Sequence, residues 1–101
     1  MPSISLAELE PNAAAAAGLL KSIANKSRLQ VLCQLAVHGE ASVSALSETV
    51  GLGQSALSQH LARLRRDGLV VCRRDAQTIY YRVSDTRALR VLETLQGIFC
   101  P

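Results

Sequence analysis

The strongest constraint on the fold lies at residues 51–53, where only "GLG" separates two helical patterns. Residues 43–50 can form a short helix, because Ser42 can cap its start and Gly51 can end it. The pattern that opens at Gly53 carries a narrow apolar stripe, formed by Leu57, Leu61 and Leu64. Two helices joined by a short turn that contains glycine are typical of a helix-turn-helix unit.

The residues after Gly68 alternate with a period of two instead of the helical period. Residues 69–74 form one alternating run, "DAQ" at residues 75–77 provides a turn, and residues 79–83 form a second run. This pattern predicts a β-hairpin directly after the helix-turn-helix unit, in the position of a wing.

Two further helices are predicted before this unit. Residues 6–23 have an apolar helical period, with Pro11 either in the first turn or marking the true start. Asn25 can cap the next helix, which is expected to end near His38 and Gly39. The predicted apolar face of that helix consists of Leu29, Leu32, Cys33 and Ala36.

A last helix is predicted after the hairpin, capped by Ser84 or Asp85 and ending at Cys100. Its predicted apolar face consists of Ala88, Val91, Leu92, Leu95, Ile98 and Phe99. A hydrophobic content of 49% with 19% charged residues is high for a monomer of this size. The first and last helices are therefore predicted to form the seam of a homodimer.

The order of the predicted elements is helix, helix, helix-turn-helix, hairpin, helix. This order predicts a mainly α fold with a β-hairpin wing, namely a winged helix-turn-helix that dimerises through its first and last helices. The length of 101 residues predicts one domain that covers residues 1–101.

The positive charge of the chain is concentrated in one segment. The net charge is only +3, but residues 63–82 contain six arginines against two aspartates. Guanidinium groups suit phosphate and guanine edges, so the segment favours double-stranded DNA over a membrane surface as the partner. The sequence shows neither a long apolar stretch nor a signal-peptide pattern, and the expected location is the cytoplasm.

A DNA-binding face is predicted on the helix that starts at Gly53, because the first residues of such a helix reach base edges in the major groove. The candidates for base contacts are Gln54, Ser55, Ser58 and Gln59. The candidates for contacts with the phosphate backbone are Arg63, Arg65 and Arg66. Arg74 and Gln77, at the hairpin tip, can reach the adjacent minor groove or the backbone. His60 either touches phosphate or fills the edge of the core. Without the helix-turn-helix spacing, these polar residues would be read as a solvated face.

The three cysteines, Cys33, Cys72 and Cys100, form no closely spaced pair. They are too few, and odd in number, for a secreted disulfide scaffold. In a reducing compartment such residues are buried thiols, metal ligands or redox sites. From its position between Leu32 and Leu35, Cys33 fits a buried structural thiol as well as a functional one.

Three segments together resemble the ArsR family of bacterial repressors. The segments "SRLQVLCQL", "SALSQHLARLRRDGLV" and "AQTIYYRV" match, in order and spacing, the second helix, recognition helix and wing of that family. The resemblance covers nearly the whole chain. It implies a homodimer on a partly palindromic operator, with an inducer that weakens DNA binding.

Many members of the family sense metals through a Cys-x-Cys at the start of the third helix or through Asp and His ligands on the last helix. Here the third helix reads "SVSALSETV" without cysteine, and the last helix has no histidine. No metal site is therefore expected.

The two remaining cysteine positions resemble the persulfide-sensing branch of the family, of the BigR, SqrR and HlyU type. Cys33 in the second helix and Cys100 in the closing "FCP" occupy the places of that branch's two cysteines. The resemblance implies a reactive sulfur species as inducer and a reversible Cys33–Cys100 link, a disulfide or a longer sulfur chain, with no further cofactor. It assigns no sensing role to Cys72.

Two alternatives remain open at the level of the sequence. One is an ArsR-type regulator, or an anti-repressor that displaces another protein from DNA, with structural cysteines and another inducer such as a general oxidant or haem. The other is a thiol oxidoreductase, which the lack of a Cys-x-x-Cys motif disfavours. No enzymatic activity is therefore expected.

Overall fold

The structure, a computed structural model, describes residues 3–100. Within these residues, six α-helices surround one three-stranded antiparallel sheet. In chain order the elements are α1 (Leu6–Leu9), α2 (Ala13–Ile23), α3 (Lys26–His38), β1 (Ala41–Ser42), α4 (Val43–Val50), α5 (Gln54–Arg66), β2 (Val70–Asp75), β3 (Thr78–Val83) and α6 (Thr86–Phe99). The predicted mainly α fold with a wing is confirmed.

The first predicted helix is interrupted at Pro11. A 3₁₀ turn over Glu10–Asn12 contains the proline and separates α1 from α2. Proline has no N–H to donate and its ring crowds the preceding turn, which explains why the α-helical ladder breaks there. The chain is helical on both sides of Pro11, so the long helix starts at Ala13 and is preceded by one extra helical turn.

The predicted helix ends are confirmed by local hydrogen bonds and dihedral angles. The side chains of Asn25, Ser42 and Asp85 each accept backbone N–H groups at the starts of α3, α4 and α6. Gly39 and Gly51 end α3 and α4 with φ angles of 81° and 78°, which glycine adopts without a steric penalty.

The buried face of α3 differs from the prediction. Val31, Leu32 and Leu35 are buried, whereas Cys33 and Ala36 are exposed. Leucines 32 and 35 lie one helical turn apart and Val31 lies beside them, so these three define the inward stripe. Cys33 is rotated out of that stripe, which makes its thiol accessible and not a core residue.

The core lies between α3, α5 and the sheet. The predicted stripe of α5, formed by Leu57, Leu61 and Leu64, is fully buried. It packs in one cluster with Leu46 of α4 and Val70 of β2. The stripe therefore fixes which side of α5 faces outwards.

The predicted hairpin is confirmed, with a tighter turn and a third strand. Asp75 pairs with Thr78, so the turn consists of Ala76 and Gln77 alone, and Ala76 has a φ angle of 56°. Strand β1 pairs with β3 on its other edge, with Ala41 opposite Tyr81. The pattern analysis did not predict β1, because a strand of two residues has no detectable period.

Apolar side chains remain exposed along α1, α2 and α6. These helices form the predicted seam, and their exposed residues are Leu6, Leu9, Leu20, Ile98 and Phe99. Leu6 is 66% exposed and Phe99 is 75% exposed, so the core of one chain does not cover them. Among the described residues, no helix is long and apolar enough to cross a membrane.

Candidate nucleic-acid interface and thiol pair

The first two turns of α5 present a polar outer face. Gln54, Ser55, Ser58 and Gln59 are all exposed. The buried leucine stripe turns them away from the core, as predicted. Gly53 precedes the helix without a side-chain cap, and the first turn contains no acidic residue. This end of the helix is therefore small, polar and free of negative charge, as a helix that enters the major groove requires.

The side chains nearer the end of α5 fall into two groups. Arg65 and Arg66 are exposed, and the Nε atom of Arg66 lies 3.8 Å from Asp67. Arg63 is partly buried, and its Nε atom donates a hydrogen bond of 2.9 Å to Asp67. His60 is also partly buried, at the edge of the leucine stripe. Arg65 and Arg66 thus have the freer guanidinium groups.

Asp67 follows α5 and accepts two side-chain hydrogen bonds. Besides Arg63, the hydroxyl of Ser22 in α2 donates to the same oxygen at 2.9 Å. The bond from Arg63 lowers the pKa of Asp67 most, and the bond from Ser22 lowers it further. The sequence does not predict the Ser22–Asp67 bond, because the two residues are distant in the chain.

The hairpin carries three exposed arginines, Arg73, Arg74 and Arg82, and Arg73 is bound by a carboxylate of the same chain. Arg74 and Gln77 are exposed, at the positions predicted for contacts with DNA. Arg73 donates two hydrogen bonds to Glu40, and its guanidinium lies 4.6 Å from the centre of the Tyr80 ring. The bond from Arg73 holds the pKa of Glu40 below its usual range. Arg73 therefore attaches the wing to the start of β1.

Cys33 and Cys100 are both exposed, and the charge of the Cys100 thiolate affects the pKa of Cys33. Cys33 lines a cleft of about 230 Å³ between α3 and α4, together with Leu29 and Val50. Cys100 follows α6, and its N–H donates to Gln96. Burial raises the pKa of the Cys33 thiol, and the charge of the Cys100 thiolate raises it further.

Cys72 lies elsewhere, on the hairpin. It is partly buried and pairs with Tyr81 across the ladder. All three cysteines are free thiols. Within residues 3–100, no three or more His, Cys, Asp or Glu side chains come together in a way that could hold a metal ion.

The three-stranded wing beside an exposed polar helix defines a winged helix-turn-helix DNA-binding protein. The family model described as "Bacterial regulatory protein, arsR family" matches residues 25–71, from the cap of α3 into β2. The transcriptional activator HlyU of Vibrio cholerae is 50% identical over 97 residues, which are 96% of this chain and 89% of that protein. The chain belongs to the ArsR family and is a DNA-binding transcriptional regulator.

Two solved structures show the same fold. Reduced HlyU from Vibrio cholerae has a TM-score of 0.85 and 51% identity, covering 93% of this chain and 98% of that one. The transcriptional repressor BigR from Xylella fastidiosa has a TM-score of 0.91 and 38% identity, covering 97% of this chain and 99% of that one. The predicted family and fold are thus confirmed.

Proposed function

We propose that the chain is a homodimeric repressor that senses reactive sulfur species through Cys33 and Cys100. The observation that carries the proposal is the thiol pair. Cys33 on α3 and Cys100 at the end of α6 are both exposed free thiols, and the charge of the Cys100 thiolate contributes to the raised pKa of Cys33. A relative solved in a state described as reduced supports a redox role for the branch.

The chemistry balances without an additional oxidant. One thiolate attacks the outer sulfur of a persulfide RS–SH, which forms Cys–S–SH and releases RS⁻. The second thiolate attacks the cysteine-bound sulfur, which forms a Cys33–Cys100 disulfide and expels HS⁻. Two thiols are oxidised while one sulfur atom is reduced to sulfide. Alternatively, two persulfidated cysteines condense to a trisulfide and release H₂S.

The link is proposed to act on DNA binding through the position of the helices. α3 contributes three buried residues to the core on which α5 packs, and α6 carries exposed apolar residues of the seam. A covalent bond between Cys33 in α3 and Cys100 at the end of α6 changes the position of the seam helices relative to α5. Because the half-sites of an operator lie about 34 Å apart, a small change in the spacing of two α5 helices lowers affinity.

The homodimer is supported by the apolar residues that one chain leaves exposed. Leu6 and Leu9 of α1 and Ile98 and Phe99 of α6 are between 47% and 75% exposed. We infer that a second copy covers these exposed apolar side chains. A second copy covers the same surface on both chains, which also places two α5 helices on one duplex.

A second candidate function is an anti-repressor. The relative from Vibrio cholerae is named a transcriptional activator. Displacement of a bound repressor is one way in which a DNA-binding protein without an activation domain can raise transcription. In that case the protein binds DNA through the same face and responds through the same thiols, but its DNA site overlaps the site of another protein. A DNA competition assay with the resident repressor separates the two roles.

The decisive experiment combines mass and DNA binding. Reduced protein is exposed to a glutathione persulfide donor, with hydrogen peroxide in parallel, and analysed by intact mass, peptide mapping and binding to an operator selected from random duplexes. We expect a Cys33–Cys100 link and loss of operator binding with persulfide. Cys72→Ser serves as the matched control and keeps the response. If Cys33→Ser still released the operator with persulfide, the dithiol mechanism would be wrong.

A further inference from the structure

Ser22 is the one buried polar residue within the part of the chain that the structure describes. Its side chain is 1% exposed and lies at the end of α2, among apolar neighbours of the core. Burial of a hydroxyl without a hydrogen-bond partner costs free energy. The helices around Ser22 are therefore most stable in the arrangement that keeps its hydrogen bond. That bond goes to Asp67, at a distance of 2.9 Å.

Asp67 is the residue that ends α5. Its backbone N–H donates to the carbonyl of Arg63 inside the helix, so its position is rigidly related to the helix axis. The Ser22–Asp67 hydrogen bond therefore connects the end of α2 to the end of α5. The Nε atom of Arg28 in α3 donates a hydrogen bond of 2.6 Å to the backbone carbonyl of Ser22. This bond connects the end of α2 to α3.

We propose that Ser22 and Asp67 are positioning residues that fix α5 relative to α2, and so set the distance between the two recognition helices of the dimer. The inference rests on the proposed dimeric, DNA-binding function and names a determinant of its operator geometry. α2 carries the exposed Leu20 of the seam, and α5 carries the DNA face. The hydrogen bond between these two helices couples the position of the seam to the position of the DNA-binding face of α5.

The bond is suited to this role because it combines a buried donor with a charged acceptor. Hydrogen bonds to charged groups are stronger than those between neutral groups. The Arg63 guanidinium donates a second hydrogen bond to the same oxygen of Asp67. Breaking the bond leaves all charges on the DNA face unchanged but frees α5 to tilt.

The test measures preference for half-site spacing, which a residue with a merely structural role would not alter. An operator selected with the wild-type protein is compared with a duplex in which one base pair separates the half-sites further. Ser22→Ala is expected to reduce the wild-type preference for the selected spacing about tenfold. Its affinity for a single half-site and its salt dependence should match the wild-type values, because no charge is lost.

Matched variants make the test specific. Ser27→Ala removes a partly buried hydroxyl whose oxygen makes no hydrogen bond to residues 3–100, and it should keep the spacing preference. Asp67→Asn weakens the same bond from the exposed side and should lose the preference, which keeps the test valid if Ser22→Ala does not fold. Arg63→Ala leaves the Ser22–Asp67 bond and should retain the preference.

Different results would overturn the positioning role of Ser22 and Asp67 and the proposed DNA-binding dimer. If folded Ser22→Ala and Asp67→Asn distinguish the two spacings as well as wild type, the positioning role is overturned. The same holds if Arg63→Ala loses the preference to the same extent. Wild-type protein that binds no duplex in a salt-dependent manner would instead overturn the DNA-binding dimer itself.

Discussion

Arg73 binds Glu40 through two parallel hydrogen bonds of 2.8 and 2.7 Å, although both side chains lie on the surface. Such a bidentate arrangement fixes the guanidinium plane, and the Tyr80 ring beneath it adds a cation–π contact. Adjacent arginines in β2 therefore have different tasks. Arg73 attaches the wing to the segment before β1, whereas Arg74 is exposed near the hairpin turn.

Substituting these two arginines separately should distinguish attachment from DNA contact. Arg74→Ala is expected to weaken binding to all duplexes and to reduce the salt slope by about 1, as loss of one phosphate contact does. Arg73→Ala is expected to lower thermal stability with a smaller change in the slope. Binding titrations at several salt concentrations, with thermal unfolding, measure both effects. Equal slopes for the two variants would contradict the assignment.

The glutamines at the start of α5 should determine sequence preference. Gln59→Ala is expected to cost about 1–3 kcal/mol on the selected operator and to relax the base preference at one position of each half-site. Its binding to non-specific DNA should remain near the wild-type level, because no charge changes. Gln30→Ala, at an exposed position of α3, is the matched control. Selection from random duplexes with each variant reveals the altered position; an unchanged consensus would exclude Gln59 from base recognition.

Cys100 should influence the titration of Cys33. Burial raises the pKa of Cys33 most, and the negative charge of the Cys100 thiolate adds to it. Cys100→Ser removes that charge, so the pKa of Cys33 should fall and its alkylation should begin at lower pH. The measurement is the rate of iodoacetamide labelling of the Cys33 peptide against pH.

The same labelling with Cys72→Ser provides the control for this prediction. Cys72 lies on the hairpin and does not contribute to the shift at Cys33, so its loss should leave the profile unchanged. If Cys100→Ser and Cys72→Ser gave the same profile as wild type, the two thiols would not be near each other in solution.

Asp85 should make stability depend on pH in the acid range. Its hydrogen bond with the Arg87 side chain lowers its pKa most, and backbone bonds at the start of α6 lower it further. The folded pKa lies below the unfolded one, so its stabilising effect is complete above about pH 4 and is lost as pH falls through the folded pKa. Asp85→Asn keeps a cap but cannot ionise.

Urea unfolding at several pH values tests this linkage. Asp85→Asn should be less stable than wild type near neutral pH, and its stability should decline less on acidification below pH 4. Asp85→Ala also removes the cap and should cost about 0.5–2 kcal/mol at neutral pH. Asp75→Asn is the control, because its side chain makes no hydrogen bond to the described residues. A decline as steep as that of wild type in Asp85→Asn would refute the linkage.

A charge placed in the seam should produce monomers. Phe99→Glu puts a carboxylate on the exposed apolar end of α6, where burial against a second copy would be unfavourable. Ile79→Glu is the matched control, because Ile79 is 38% exposed on β3 and belongs to none of the three seam helices. Sedimentation or light scattering should show a dimer for wild type and Ile79→Glu and a monomer for Phe99→Glu. A dimer in all three proteins would exclude α6 from the seam.

The features that were predictable from the sequence depend on short stretches of chain. The caps Asn25 and Ser42, the glycine ends of α3 and α4 and the alternation of the hairpin each use neighbouring residues only. The leucine stripe of α5 repeats at helical spacing, which fixed its outer face correctly.

The features that were not predictable join distant parts of the chain. Nothing local to Asp67 shows that Ser22 donates to it, and nothing local to Arg73 shows that Glu40 binds it, whereas Arg63 and Asp67 are only four residues apart. The exposure of Cys33 was missed because Leu29, Leu32 and Ala36 suggested a face rotated from the one that the core selects. Tertiary packing chose between two faces that the helical period alone allows.

The ion pairs of Arg63 with Asp67 and of Arg73 with Glu40 also affect how the protein associates with DNA. With these two groups held by carboxylates, the freer arginines of the predicted DNA-binding face are Arg65 and Arg66 at the end of α5 and Arg74 near the hairpin turn. A molecule with two separate positive points is turned by the field of the duplex while it diffuses, because only one orientation brings both points towards phosphate. We therefore expect the association rate, and not only the lifetime of the complex, to depend on the distance between those points and to fall as ionic strength rises.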